Sequence, residues 1–143
     1  MSNAERLNAA LEPVFTGDGE VEIDEASIDA MVEALRPLAA PGFTAMMSGQ
    51  GTVDRSFEDV EGLRDAWHDW LDVFSRVRLE IVGVEQVGDN VLMAARQVGT
   101  TRHGVDVEQP SAAVWKFDPA GLLTRVEFHL DRQAALASAE EPG

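Results

Sequence analysis

Hydrophobic positions along the chain follow two periods, and the change comes near Val77. Before it the spacing is helical. Asn3 to Leu11 reads as a short helix that Pro13 closes. Ile28, Met31, Val32 and Leu35 recur at helical intervals, with Asp24 or Ser27 placed to cap them. Phe43 to Met47 reads as a strand and Ser48-Gly49-Gln50-Gly51 as a turn. A third helix, Val60 to Phe74, sets Leu63, Trp67, Trp70, Leu71 and Phe74 on one stripe, with His68 and Asp69 off it in solvent.

Beyond Val77 the period is 2. Arg78 to Val87, the turn Gly88-Asp89, and Asn90 to Thr101 predict a long hairpin. Val107 to Phe117, the turn Asp118-Pro119-Ala120-Gly121, and Leu122 to Leu130 predict a second. Pairing across that turn sets Phe117 against Leu122 and Trp115 against Thr124. Ala113, Trp115, Phe117, Leu122, Val126 and Phe128 then form an apolar face that should meet the helix carrying Trp67 and Trp70. Lys116, Arg125, Glu127 and His129 share the other face, which solvent or a dimer partner should cover. Asp131 can cap a final helix, Arg132 to Ala139, followed by a loose tail. Helices first and long antiparallel strands afterwards imply an α+β fold, with helices packed on one face of a sheet.

The chain has 143 residues and forms one domain, 1–143. Hydrophobic residues make up 45% and charged residues 26%, as in ordinary globular proteins. The charge changes the picture more. Twenty-six acidic against 11 basic side chains give a formal net charge of -15. Such a field repels nucleic acid and anionic membrane surfaces, so neither is an expected partner. Cysteine is absent, which removes disulfides, thiolate metal sites and cysteine nucleophiles. No apolar run approaches the roughly 20 residues needed to span a bilayer, and the expected location is the cytoplasm. Asp18, Glu20, Glu22 and Asp24 superficially follow calcium-loop spacing, but Ile23 stands where that loop needs glycine. A solvated acidic linker is the better reading. The three histidines lie far apart, so no metal site and no cofactor are expected.

Several segments together carry a family resemblance: Gly62-Leu63-Arg64 opening the aromatic helix, Val87-Gly88-Asp89-Asn90-Val91 at the first hairpin, and Trp115-Lys116-Phe117 with Gly121-Leu122-Leu123-Thr124-Arg125-Val126 at the second. The terminal Asp131-Arg132-Gln133-Ala134-Ala135-Leu136 completes them. In order and spacing, over about 28–139, the chain resembles the SnoaL-like proteins of the nuclear transport factor 2-like superfamily. The resemblance implies a curved antiparallel sheet wrapped around N-terminal helices, a cone with an apolar pocket, and commonly a homodimer through the sheet. Members include polyketide cyclases, ketosteroid isomerases, epoxide hydrolases and dehydratases, so fold alone does not assign an activity.

The family's chemistries can be tested against the residues present. Ketosteroid isomerases use a carboxylate base and a tyrosine-containing oxyanion hole; this chain has no tyrosine, and Met46, Met47 and Ser48 fall where the base would stand. The epoxide hydrolases place arginine and aspartate two apart on a strand, whereas Arg96 is followed by Val98. SnoaL-like cyclases need only one acid or base in a dry pocket. Candidates are His103, Glu127, His129 and Asp131. His103 also fits an exposed loop, Asp131 a plain helix cap, and Glu127 with His129 a surface ion-pair ladder or dimer contact. Arg96 interrupts an apolar strand and, by the Gly88-Asp89 turn, shares a face with Leu79, Ile81, Ala94 and Val98. A charge there needs a carboxylate, Glu85 being the nearest by pairing, or an anionic ligand. Arg96 is therefore expected to border the pocket, with Trp67, Trp70, Trp115 and Phe128 as its walls. Two functions remain: a homodimeric protein binding a small hydrophobic carbonyl-type molecule, or a cyclase, isomerase or dehydratase working by proton transfer. The missing isomerase and hydrolase residues favour the first.

Overall fold

Each of three helices begins at a side-chain cap written into the local sequence. In the computed structural model, which describes residues 2–15, 19–47, 55–71 and 74–141, α1 (Asn3–Leu11) opens on a reciprocal pair. Ser2 Oγ accepts from Glu5 N, and Glu5 Oε1 accepts from Ser2 N, both at 3.1 Å. The two predicted caps of α2 (Glu25–Leu35) act together: Asp24 Oδ1 accepts from Ser27 N at 2.8 Å and Ser27 Oγ accepts from Asp24 N at 2.9 Å. Ile28, Met31, Val32 and Leu35 are buried, as their spacing predicts. In α3 (Asp59–Leu71), Leu63 and Trp67 are buried on the expected stripe. Asp131 caps α4 (Arg132–Ala139), accepting from Gln133 N at 3.0 Å. The side chains of Arg55, Trp70 and Leu71, the Ser48–Gly51 turn and residues 17 and 18 lie outside the described residues. No described helix is long and apolar enough to cross a membrane.

Among the described residues seven strands form one curved, unclosed sheet: β1 (Glu20–Glu22), β2 (Ala39–Met47), β3 (Arg55–Glu58), β4 (Phe74–Val87), β5 (Asn90–Thr101), β6 (Asp106–Phe117) and β7 (Leu123–His129). Their order is β1-β4-β5-β6-β7-β2-β3, antiparallel except where β2 runs parallel to β7. Two short edge strands escape the sequence pattern. The acidic segment read as a linker contains β1, whose Val21 is buried against its partner Leu79 on β4 while Glu22 faces outward. At the other edge β3 pairs with β2. Phe74 begins β4 instead of ending α3. Its ring lies on Gly99, where a Cβ would come 2.7 Å from the ring edge, so only glycine fits.

Register decides which side chains enter the core. Near the first hairpin turn, where Gly88 has φ +61, pairs such as Val87↔Asn90 and Glu85↔Leu92 follow the turn as expected. Gly83 pairs with Ala94, but Ile81 pairs with Ala95, and Val82 is left over as a bulge, 66% exposed. One extra residue turns the earlier half of β4 over relative to β5. Arg96 consequently opposes Glu80, not Ile81. In the second hairpin a shift between Lys116 and Phe117 brings Leu123, not Leu122, against Phe117 and sets Trp115 against Val126 instead of Thr124. Because Trp115 moves by two residues, the predicted face survives: Ala113, Trp115, Phe117, Val126 and Phe128 all lie in the core with α2 and α3.

The opposite face corrects an expectation. Solvent or a partner was expected to cover it, but α4 packs there, burying Ala135 and Ala139 against Leu92, Ala112 and Val114. Helices therefore occupy both faces of the sheet. Asn90 secures the end of α4, its amide donating to Ala139 O at 3.1 Å and Glu141 O at 2.8 Å and accepting from Phe117 N at 3.2 Å.

Candidate functional site

The concave face of the sheet closes over α3 around a small apolar cavity of about 40 Å³. Trp67 of α3 meets Phe128 of β7 edge to face, with ring centroids 4.9 Å apart, and Trp115 of β6 meets the same ring at 6.4 Å. Leu79, Met93 and Met31 complete much of the wall. The cavity shares Leu11, Phe15, Ile81 and Met93 with an open groove of about 760 Å³ beside α1, whose rim carries Glu5, Asn8 and Glu12. Volume of this order gives the inner chamber room for a water or for the head of a small molecule whose body lies in the groove.

Polar groups at the chamber are few. No described residue lining it is acidic, basic or a histidine. Trp115 Nε1 is buried without a hydrogen-bond partner among the described residues. Gln97, 1% exposed, has neither its amide nitrogen nor its amide oxygen partnered among the described residues. It follows Met93 and Ala95 along the same face of β5 and lies opposite Leu79, and those three residues line the cavity. Sequence reasoning passed over Gln97 because the missed bulge assigned its face to Arg96. The available signal was a lone amide amid Ala94, Ala95 and Val98.

The predicted site residues do not gather in one place. Trp67, Trp115 and Phe128 come together at the chamber, while the Trp70 side chain lies outside the described residues. Arg96 does not border the cavity. It sits on the outer face, 44% exposed, paired with Glu80 at 2.7 Å and Glu108 at 2.8 Å, so the carboxylates it needs come from neighbouring strands and not from Glu85. His103 is exposed in the turn between β5 and β6.

Glu127 and His129 do form a carboxylate–imidazole pair, 2.9 Å apart. Alternation along β7 points them away from Val126 and Phe128, so they lie beneath α4, on the far side of the sheet from the cavity. Both are almost fully buried. Ser138 Oγ of α4 donates to Glu127 Oε1 at 2.6 Å. Arg125 Nε lies 2.8 Å and Lys116 Nζ 3.9 Å from Glu127 Oε2. Burial alone pushes the Glu127 carboxyl up, but the His129 and Ser138 hydrogen bonds and the two cations outweigh it and bring its pKa to about 2. A carboxylate held so firmly ionised, and shut away from the cavity, suits a structural anchor better than a proton-transfer base.

In sequence, no family model and no curated protein matches the chain. Solved structures do match. An NTF2-like protein from Burkholderia thailandensis superposes with a TM-score of 0.67 at 18% identity, covering 99% of both chains. A SnoaL-like polyketide cyclase, so described, from Jannaschia sp. CCS1 gives 0.62 at 18% identity over 97% of this chain and 94% of that one. A protein with a ketosteroid isomerase-like fold from Catenulispora acidiphila, in complex with trimethylamine, gives 0.60 at 16% identity over 95% and 93%. The α+β cone, with its sheet wrapped on α3, therefore has the nuclear transport factor 2-like fold shared by the SnoaL-like proteins.

Proposed function

We propose that the chain binds a small, largely apolar molecule carrying a carbonyl-type oxygen, and that it does so without acid–base catalysis. One observation carries this reading: apart from Ser111 the chamber is lined by aromatic and aliphatic side chains, Trp115 among them with an indole N–H that has no partner among the described residues, and no described lining residue is an acid, a base or a histidine. An unpartnered indole N–H in a largely apolar wall favours an acceptor oxygen at that point. The Catenulispora neighbour of the same fold holds trimethylamine, and a guest of comparable size is taken for this chain. The cyclase alternative needs an acid or base against the substrate, and Glu127 and His129 stand on the wrong face to supply it.

The expected homodimer belongs to this reading with its contact moved. Val114, Lys116 and Glu127 of the sheet face expected to form the contact are buried within the chain, so the proposed contact is assigned to the part of the outer face that α4 does not cover. A monomeric mass by light scattering at micromolar concentration refutes it.

Titration with acetone, followed by amide and indole NMR resonances, tests the cavity. The Trp115 indole N–H should move with the backbone of Trp67 and Phe128, and Trp115→Phe should remove the preference for acetone over isobutene. Absence of any shift at these residues refutes the reading.

A further inference from the structure

We propose that Gln97 is an amide-reading subsite at the end of the chamber, so that the bound molecule presents a neutral amide edge, one N–H beside one C=O. The inference rests on the small-molecule reading above and adds the ligand's chemical class.

The fold treats its two well-buried side-chain amides very differently. Asn90 makes three hydrogen bonds, with both ends of its amide in use. Gln97 is more deeply buried, and makes none at either end. A buried amide left unanswered destabilises a fold, whereas a leucine of similar length would pack there without penalty. A bound water or ligand would answer it.

Position supplies the second argument. Met93 and Ala95 form the β5 wall of the chamber, and Gln97 is the next residue on that face. Its cross-strand neighbour Leu79 lines the chamber as well. Gln97 thus comes next on that face after the β5 residues that line the chamber, without itself lining it.

The chemistry of the group then selects the ligand. A glutamine amide offers a donor and an acceptor side by side, which an amide edge complements with two parallel hydrogen bonds. A ketone answers only the donor and leaves the oxygen orphaned. A carboxylate also answers only the donor, and it would enter a chamber with no described cation on its wall, in a protein of formal charge -15. Trp115 Nε1 remains to donate to a further lone pair.

Acetamide and acetone, nearly equal in shape, test this by NMR titration of the full chain. Acetamide should bind wild type about ten-fold tighter than acetone, shifting the Gln97 side-chain NH₂ resonances. Gln97→Leu should abolish that preference, acetamide losing the larger share of its affinity; Gln97→Met serves if the leucine variant does not fold. Equal binding of both probes to wild type, with shifts at Trp115, overturns the subsite and leaves the cavity reading standing. A buried water seen at the Gln97 amide that neither probe displaces also overturns it. If neither probe moves any chamber resonance, both proposals fall.

Discussion

The Ser138 hydroxyl of α4 donates to Glu127 Oε1 of β7 at 2.6 Å, across the boundary between the last helix and the sheet. Around this bond the outer face is polar beneath a helix that contributes only two buried alanines. Docking of α4 therefore depends on the ionic cluster as much as on apolar contact, which makes it sensitive to the charge of one carboxyl.

That sensitivity has a direction in pH. The Glu127 carboxyl is depressed from 4.5 to about 2, so the folded state favours its ionised form. Above 4.5 the stabilisation is complete. As pH falls toward 2 the unfolded chain takes the proton first, and roughly 3 kcal/mol is lost across that window. Glu127→Gln should be less stable than wild type by about 3 kcal/mol at neutral pH, because Lys116 and Arg125 lose their counter-charge. Denaturant melts from pH 7 to 2 should show that difference shrinking below 4.5. A constant difference contradicts the assignment.

Neighbouring positions on α3 should respond very differently. Trp67 is 3% exposed and packed on Phe128, so Trp67→Ala should cost about 3–5 kcal/mol. The His68 side chain is 41% exposed and pairs with the exposed Glu25, so His68→Ala should cost less than about 0.5 kcal/mol. Urea melts of the two variants check the helix face.

Removing Val82 tests the bulge. Val82→Ala, at an exposed position, should stay within about 0.5 kcal/mol of wild type. Deleting the residue would force Leu79 and Ile81 onto the outer face or break the ladder, with a loss above about 4 kcal/mol or no folding at all. Circular dichroism of both proteins distinguishes the outcomes.

Arg96→Met should leave acetone binding unchanged and the melting temperature within about 2 °C, since both partners of this arginine lie at the surface. A weaker acetone affinity would return Arg96 to the cavity.

Much of the core was legible from spacing alone. Ile28, Met31, Val32 and Leu35 repeat with the helix, while Ala113, Trp115, Phe117, Val126 and Phe128 alternate with the strand, and those periods are local geometry. The caps of α2 and α4 were legible for the same reason, because Asp24, Ser27 and Asp131 act on backbone a few residues away. The resemblance to SnoaL-like proteins likewise rested on short turns and helix starts. Within the candidate site, these signals placed Trp67, Trp115 and Phe128 together.

Tertiary structure decided the rest, because it turns on residues that only the partner strand counts. A bulge is one residue without an opposite number, and nothing in Ile81-Val82-Gly83 marks which of the three it will be. That single choice sent Arg96 outward to Glu80 and Glu108 and left Gln97 inside. Similarly, the pattern of β7 set Glu127 and His129 on one side together, but whether water, a partner or α4 would cover that side depended on where the chain returned. Periodicity assigns a side chain to a face; the pairing of distant segments determines what that face meets.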